Sequence, residues 1–103
     1  MLDLTPHRNA LADFARRWRV TELALFGSAL RDDFGPESDV DLLVTFDPDA
    51  PWSLFDLVEM KLDLEELFGR EVDVMTRRAI EKSSNWIRRE SILNTALPIY
   101  APD

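Results

Sequence analysis

Ser38-Asp39-Val40-Asp41-Leu42-Leu43-Val44-Thr45-Phe46 is the stretch on which the reading of this chain turns. Its β-branched, aliphatic and aromatic residues predict an extended segment, in which side chains two apart share a face about 6–7 Å from each other. Asp39 and Asp41 are therefore expected to point the same way. Upstream, Glu22-Leu23-Ala24-Leu25-Phe26 reads as another strand that delivers Gly27-Ser28, with ten residues between Ser28 and Asp39. Glycine lets a backbone approach a phosphate closely, and a serine hydroxyl with the free N–H groups of a helix start can donate to it. Residues 29–34 predict a short helix, and Gly35-Pro36-Glu37-Ser38 a turn that returns the chain to the acidic strand.

A third acid sits in a similar setting. Glu71-Val72-Asp73-Val74-Met75 alternates polar and apolar residues and follows Gly69, which reads as a helix stop. If the two acidic strands are neighbours, Asp73 completes a triad with Asp39 and Asp41. Carboxylates about 5 Å apart repel by roughly 3 kcal/mol per pair at an effective dielectric near 20. Such a cluster calls for a divalent cation or a raised pKa. Magnesium prefers oxygen ligands of this kind and binds together with substrate phosphates.

These residues resemble the nucleotidyltransferase superfamily related to DNA polymerase β, whose motif is a glycine-serine pair followed at about this distance by Asp-x-Asp, with a later acid on another strand. Phe26-Gly27-Ser28-Ala29-Leu30-Arg31, Ser38 to Val44, Leu64 to Asp73 and Ile92 to Tyr100 are similar to the small stand-alone members called minimal nucleotidyltransferases, or MNT domains. The resemblance covers nearly the whole chain. One departure is Asp32, where relatives often carry glycine after the matching arginine.

The resemblance implies an α/β (α+β) nucleotidyltransferase fold, a mixed β-sheet packed against helices. It implies catalysis and metal binding by Asp39, Asp41 and Asp73, with two Mg2+ ions, and ATP held at Gly27, Ser28 and Arg31. It further implies a type VII-like antitoxin that transfers AMP to a tyrosine of an all-helical HEPN ribonuclease toxin, with release of pyrophosphate. Two alternatives stand beside it: an antitoxin that neutralises its partner by binding alone, and a small-molecule (antibiotic) nucleotidyltransferase.

Composition narrows the classes. A chain of 103 residues, 46% hydrophobic and 31% charged, has the balance of an ordinary globular protein, without low complexity or a detectable repeat. One domain over residues 1–103 is expected, with a single core. No apolar run approaches bilayer length, and the N-terminus lacks a signal-peptide pattern, so no membrane association and a cytoplasmic address are expected. The absence of cysteine excludes disulfides, thiolate metal sites and a cysteine nucleophile.

The net charge of −8 is unevenly spread. Between positions 32 and 73 there are fourteen acids against Lys61 and Arg70, whereas Arg77, Arg78, Lys82, Arg88 and Arg89 cluster near the C-terminus. An acidic middle disfavours a polynucleotide, which would be repelled at each phosphate, so no direct polynucleotide binding is expected. The basic segment suits either a triphosphate, an acidic partner surface or a solvated helix face with ion pairs.

A coarse pass predicts a first helix over 6–19 capped by Thr5 or Asp3, with Leu11, Phe14, Ala15 and Trp18 on one face. A rigid acidic loop, Asp47-Pro48-Asp49-Ala50-Pro51, precedes a helix that Trp52-Ser53 begins and that runs through about Phe68, with Leu57, Met60, Leu64 and Leu67 on one face. A helical region over 78–94, interrupted near Ser83-Ser84, precedes a last strand over 96–100. Structural readings compete with functional ones throughout. Asp-x-Asp alone fits a solvent face, Ser28 a helix cap, and Arg31 an ion pair with Asp32, Asp33 or Glu37. Trp52, Trp86 and Tyr100 read as core or interface residues, and His7 is given no chemistry.

Overall fold

The computed structural model describes residues 2–35 and 37–101, with Ser28 described by its backbone alone. Four strands form one sheet in the order β3-β2-β1-β4: β1 is Val20–Phe26, β2 Val40–Phe46, β3 Val72–Thr76 and β4 Leu97–Tyr100. β1 runs antiparallel to β2 and β4, while β2 and β3 are parallel. The parallel pair needs a crossover, supplied by helix α2, Leu54–Phe68. The remaining helices are α1 (Arg8–Arg17), α3 (Arg77–Glu81) and α4 (Trp86–Thr95). The mixed sheet packed on helices is the expected fold class.

Alternation along β1 and β2 sends side chains into two cores. On one face Leu23, Leu25, Val40, Leu42, Val44 and Val72 meet Leu11, Phe14 and Trp18 of the first helical segment and Met60, Leu64 and Phe68 of α2. On the other, Ala24, Phe26 and Leu43 meet Ile80 of α3 and Ile92 of α4. Burial on both faces explains why β2 reads as a nearly continuous apolar run rather than a strict alternation.

Local chemistry fixes the ends of α2. Ser53 accepts from the Asp56 N–H while the Asp56 carboxylate accepts from the Ser53 N–H, a reciprocal capping box. Gly69 ends the helix at φ +69°, the left-handed region that glycine enters without a Cβ penalty. The N-terminal helix differs from expectation at its start. Residues Thr5–His7 form a 3-10 turn and α1 begins only at Arg8, because Asp3 accepts from the Thr5 N–H and tightens the chain there. Helices α1 and α2 are joined at a tryptophan pair: Trp18 donates to Asp63 at 3.1 Å, Trp52 donates to the Trp18 carbonyl at 2.7 Å, and their rings meet edge to face. Trp52 thus belongs to the core, whereas Trp86 is exposed.

The loop after β2 is also pinned. The Asp47 carboxylate accepts from the Asp49 N–H and from Arg19, and the Asp49 bond first, then Arg19, holds its carboxyl below the usual carboxylate range. The interruption in the C-terminal helical region falls between α3 and α4, as the Ser83-Ser84 pair suggests. Among the described residues no helix is long and apolar enough to cross a membrane.

Candidate functional site

β1 ends where β2 begins, because the two strands are antiparallel; Phe26 lies opposite Asp41. On the other side of β2, Asp41 lies in register with Asp73 of β3. Residues in register on adjacent strands share a face and stand about 4.8 Å apart between strands. Asp41 and Asp73 therefore face the same way, on the side of the sheet that carries Leu43 and Met75. The expected neighbourhood of the two acidic strands is present in the fold.

Gly27 completes this edge. Its φ is +66°, and a methyl group built on it would overlap Oδ2 of Asp41 and lie 3.4 Å from its Cγ. The Asp41 carboxylate thus occupies the space that glycine leaves open, half-buried against the turn that leaves β1. Asp39 lies one residue before β2, exposed, two positions from Asp41 along the chain. Asp73 is exposed as well and makes no side-chain hydrogen bond or ion pair among the described residues.

The segment between Gly27 and Asp39 differs from expectation. A 3-10 helix covers Gly27–Leu30, and the chain then turns, with Phe34 donating to the Arg31 carbonyl. The predicted helix over 29–34 does not form: Asp32 and Asp33 are weak helix formers, and the Gly35-Pro36 pair allows no further turn. Arg31 pairs with Asp33 at 3.0 Å, both side chains about two-thirds exposed. Such a surface pair is weak and readily exchanged. The Ser28 side chain and Pro36 lie outside the described residues.

Arg70 is a residue to which the sequence pattern assigns no role. Its guanidinium donates to the carbonyls of Gly35 at 2.9 Å and Ser38 at 3.1 Å and lies 4.6 Å over the Phe34 ring. The Val40 N–H also donates to the Glu71 carbonyl. Together these bonds hold the chain that brings Asp39 to β2. The only signal in the sequence is an arginine immediately before an acidic strand, and its partners lie more than thirty positions away.

Among the described residues no three acidic or histidine side chains stand close enough to hold an ion between them. The donor set still suits a hard divalent cation. Two carboxylates lie in register, Asp41 is seated in a cradle that a Cβ would fill, and the exposed Asp39 lies two positions away along the chain. A cavity of about 280 Å³ lies elsewhere, at the opposite ends of β2 and β3, lined by Phe46, Trp52, Thr76 and Arg77 among others.

The chain and its fold are similar to known proteins. The family profile described as nucleotidyltransferase domain matches residues 7–97. A protein of Methanocaldococcus jannaschii, provisionally named protein adenylyltransferase MJ0435, is 39% identical over 80 residues, covering 78% of this chain and 80% of its own length. Protein adenylyltransferase MntA of Thermococcus cleftensis is 36% identical over 78 residues, 76% of this chain and 74% of its own. A solved structure, provisionally described as a minimal nucleotidyltransferase, superposes with a TM-score of 0.71 at 32% identity, over 93% of this chain and 92% of that one. A toxin-antitoxin structure with AMP-PNP superposes with a TM-score of 0.63 at 19% identity over 93% and 74% of the two chains, a likeness of fold.

Proposed function

The chain belongs to the nucleotidyltransferase domain family, and from that premise we propose that it is an adenylyltransferase antitoxin that moves AMP from ATP to a tyrosine hydroxyl of a helical HEPN toxin. The observation that carries this reading is the register of Asp41 with Asp73 beside a glycine turn moulded around Asp41. The names of the relatives at more than 30% identity support adenylyl transfer, and the toxin-antitoxin complexes of the same fold support a toxin as acceptor.

Asp39, Asp41 and Asp73 would hold divalent magnesium, which when bound neutralises phosphate charge and polarises the reacting phosphoryl oxygens. The missing Cβ of Gly27 makes room for the Asp41 carboxylate, and Gly27 and Ser28 are proposed from the sequence as donors to the triphosphate, through backbone N–H groups and the Ser28 hydroxyl. Arg31, held among the described residues by an exposed pair with Asp33 that is readily exchanged, can swing to a phosphate oxygen. The acceptor hydroxyl attacks the α-phosphorus in line and its proton passes to the Asp73 carboxylate. The bond between the α-phosphorus and the bridging oxygen breaks, and pyrophosphate leaves. Positioning and charge compensation supply the rate, as is usual for transfer at phosphorus.

The test is intact mass of the protein encoded beside this chain, after incubation with the chain, ATP and magnesium. Whole AMP units are expected with the wild type and none with Asp39→Ala/Asp41→Ala. A stable complex with no added mass from the wild type overturns the transfer and leaves inhibition by binding alone.

A further inference from the structure

Helix α2 carries apolar residues on two sides, and only one side is buried. Met60, Leu64 and Phe68 turn toward the sheet, whereas Leu54, Phe55, Val58 and Leu62 are 79%, 85%, 56% and 58% exposed. At about 100° per residue these four fall within an arc of roughly 100° on the outer side of the helix. Single exposed apolar residues are ordinary, but a continuous stripe on one helix marks a surface that another molecule covers.

The two borders of the stripe differ. Toward β3, Lys61 and Glu65 pair with each other at 3.6 Å and are bonded to the Val72 backbone, Lys61 to its carbonyl and Glu65 to its N–H. Those groups are engaged in closing the sheet edge. Toward α1 the border is formed by Glu59 and Glu66, both exposed and seven residues apart.

A second copy of this chain is a poor occupant. Antiparallel two-fold pairing brings each border against itself, so Glu59 and Glu66 would face the same two glutamates, between molecules that each carry −8. A helix with lysine or arginine at matching spacing meets the same border with attraction. The stripe also lies on the sheet face opposite Asp41 and Asp73, so a molecule seated there leaves the acidic edge open.

We propose that the exposed stripe of α2 is a docking surface for an amphipathic helix of the toxin partner, whose apolar face is bordered by lysine or arginine residues seven apart opposite Glu59 and Glu66. The identity of the partner rests on the function proposed above, while the chemistry of the helix rests on the stripe. Docking on this face anchors the toxin and leaves its tyrosine to be offered at the acidic edge by another part of the molecule or by a second toxin subunit.

The experiment uses the full chain and the toxin encoded beside it, with affinity measured at low and high salt and AMP addition followed by intact mass. Phe55→Asp/Val58→Asp is expected to weaken binding by about 100-fold or more, because it puts charge at the centre of an apolar contact. Glu59→Lys/Glu66→Lys is expected to weaken it by about 10-fold at low salt and to invert its salt dependence, since attraction at this border becomes repulsion that added salt screens. All four positions are exposed, and unchanged thermal melts check that the variants fold. Unchanged affinity in both variants overturns the proposal while AMP addition by the wild type leaves the proposed function standing. Loss of binding in both, with no AMP added by the wild type, keeps the docking surface and removes the enzyme. A wild-type homodimer in sedimentation that Phe55→Asp/Val58→Asp converts to monomer assigns the stripe to a second copy and overturns the proposal, as does the absence of any complex with the toxin.

Discussion

At Gly27 two independent constraints meet, one of backbone and one of space. Its φ of +66° disfavours any L side chain, and the space where a Cβ would sit is held by Asp41 Oδ2. Gly69 has nearly the same φ, +69°, but a Cβ there would meet no atom within 4 Å. The pair separates the two costs. Gly69→Ala is expected to lose about 1 kcal/mol of stability, the left-handed penalty alone, and to keep AMP transfer near the wild-type rate. Gly27→Ala is expected to lose about 2 kcal/mol or more and to reduce transfer at least about 10-fold, because the Asp41 carboxylate must move. Urea unfolding and intact-mass kinetics on the two variants read both quantities; equal losses at the two sites would mean that the space around Asp41 has no bearing on transfer.

Between residue and fold, the connection that carries Asp39 is controlled from outside itself. Arg70 bonds the carbonyls of Gly35 and Ser38 and stacks on Phe34, so one side chain ties together three points of this connection. Arg70→Ala is expected to speed amide exchange at Ser38 and Asp39 by about 10-fold or more while leaving the melting midpoint within a few degrees, since its bonds are part-buried and hold a connection rather than the core. Protection unchanged at Ser38 and Asp39 would show that the β2–β3 ladder alone holds the loop. Elements with local signatures are legible in the sequence: α2 from Ser53 and Gly69, β2 from its β-branched run, and the break between α3 and α4 from a serine pair. The meeting of Asp41 with Asp73 is legible only as a condition on strand adjacency, which the α2 crossover satisfies. What stays hidden depends on contacts distant in sequence or on faces that pattern reading treats as solvent. Arg70 reaches back more than thirty residues, and the outer stripe of α2 is masked by the regular spacing of its inner face. The 3-10 segment at Gly27–Leu30 escapes pattern reading because Ala29, Leu30 and Arg31 are good helix formers, while the turn around Asp41 decides their geometry.

For the molecule as a whole, the sheet divides the interior into cores of unequal strength. The larger core joins α1, α2 and three strands through fully buried residues such as Leu23, Leu42, Met60 and Leu64. The smaller rests on five buried residues, two of them, Ile80 and Ile92, from helices of five and ten residues that bury little else. Leu64→Ala is expected to cost about 3–4 kcal/mol, since it empties a site enclosed on all sides. Ile92→Ala is expected to cost less, about 2 kcal/mol, because α4 can close on the space from its exposed side. The same inequality governs motion. Amides of α3 and α4 should exchange through local opening, well before those of β1, β2 and α2, which should exchange only on global unfolding. Asp41 and Asp73 lie on the sheet face that carries the smaller core, so opening of α3 and α4 loosens that face without unmaking the strands that hold the two acids. Hydrogen exchange resolved by segment decides the point: uniform protection across all helices would mean one cooperative core, and a site whose surroundings move only when the whole fold does.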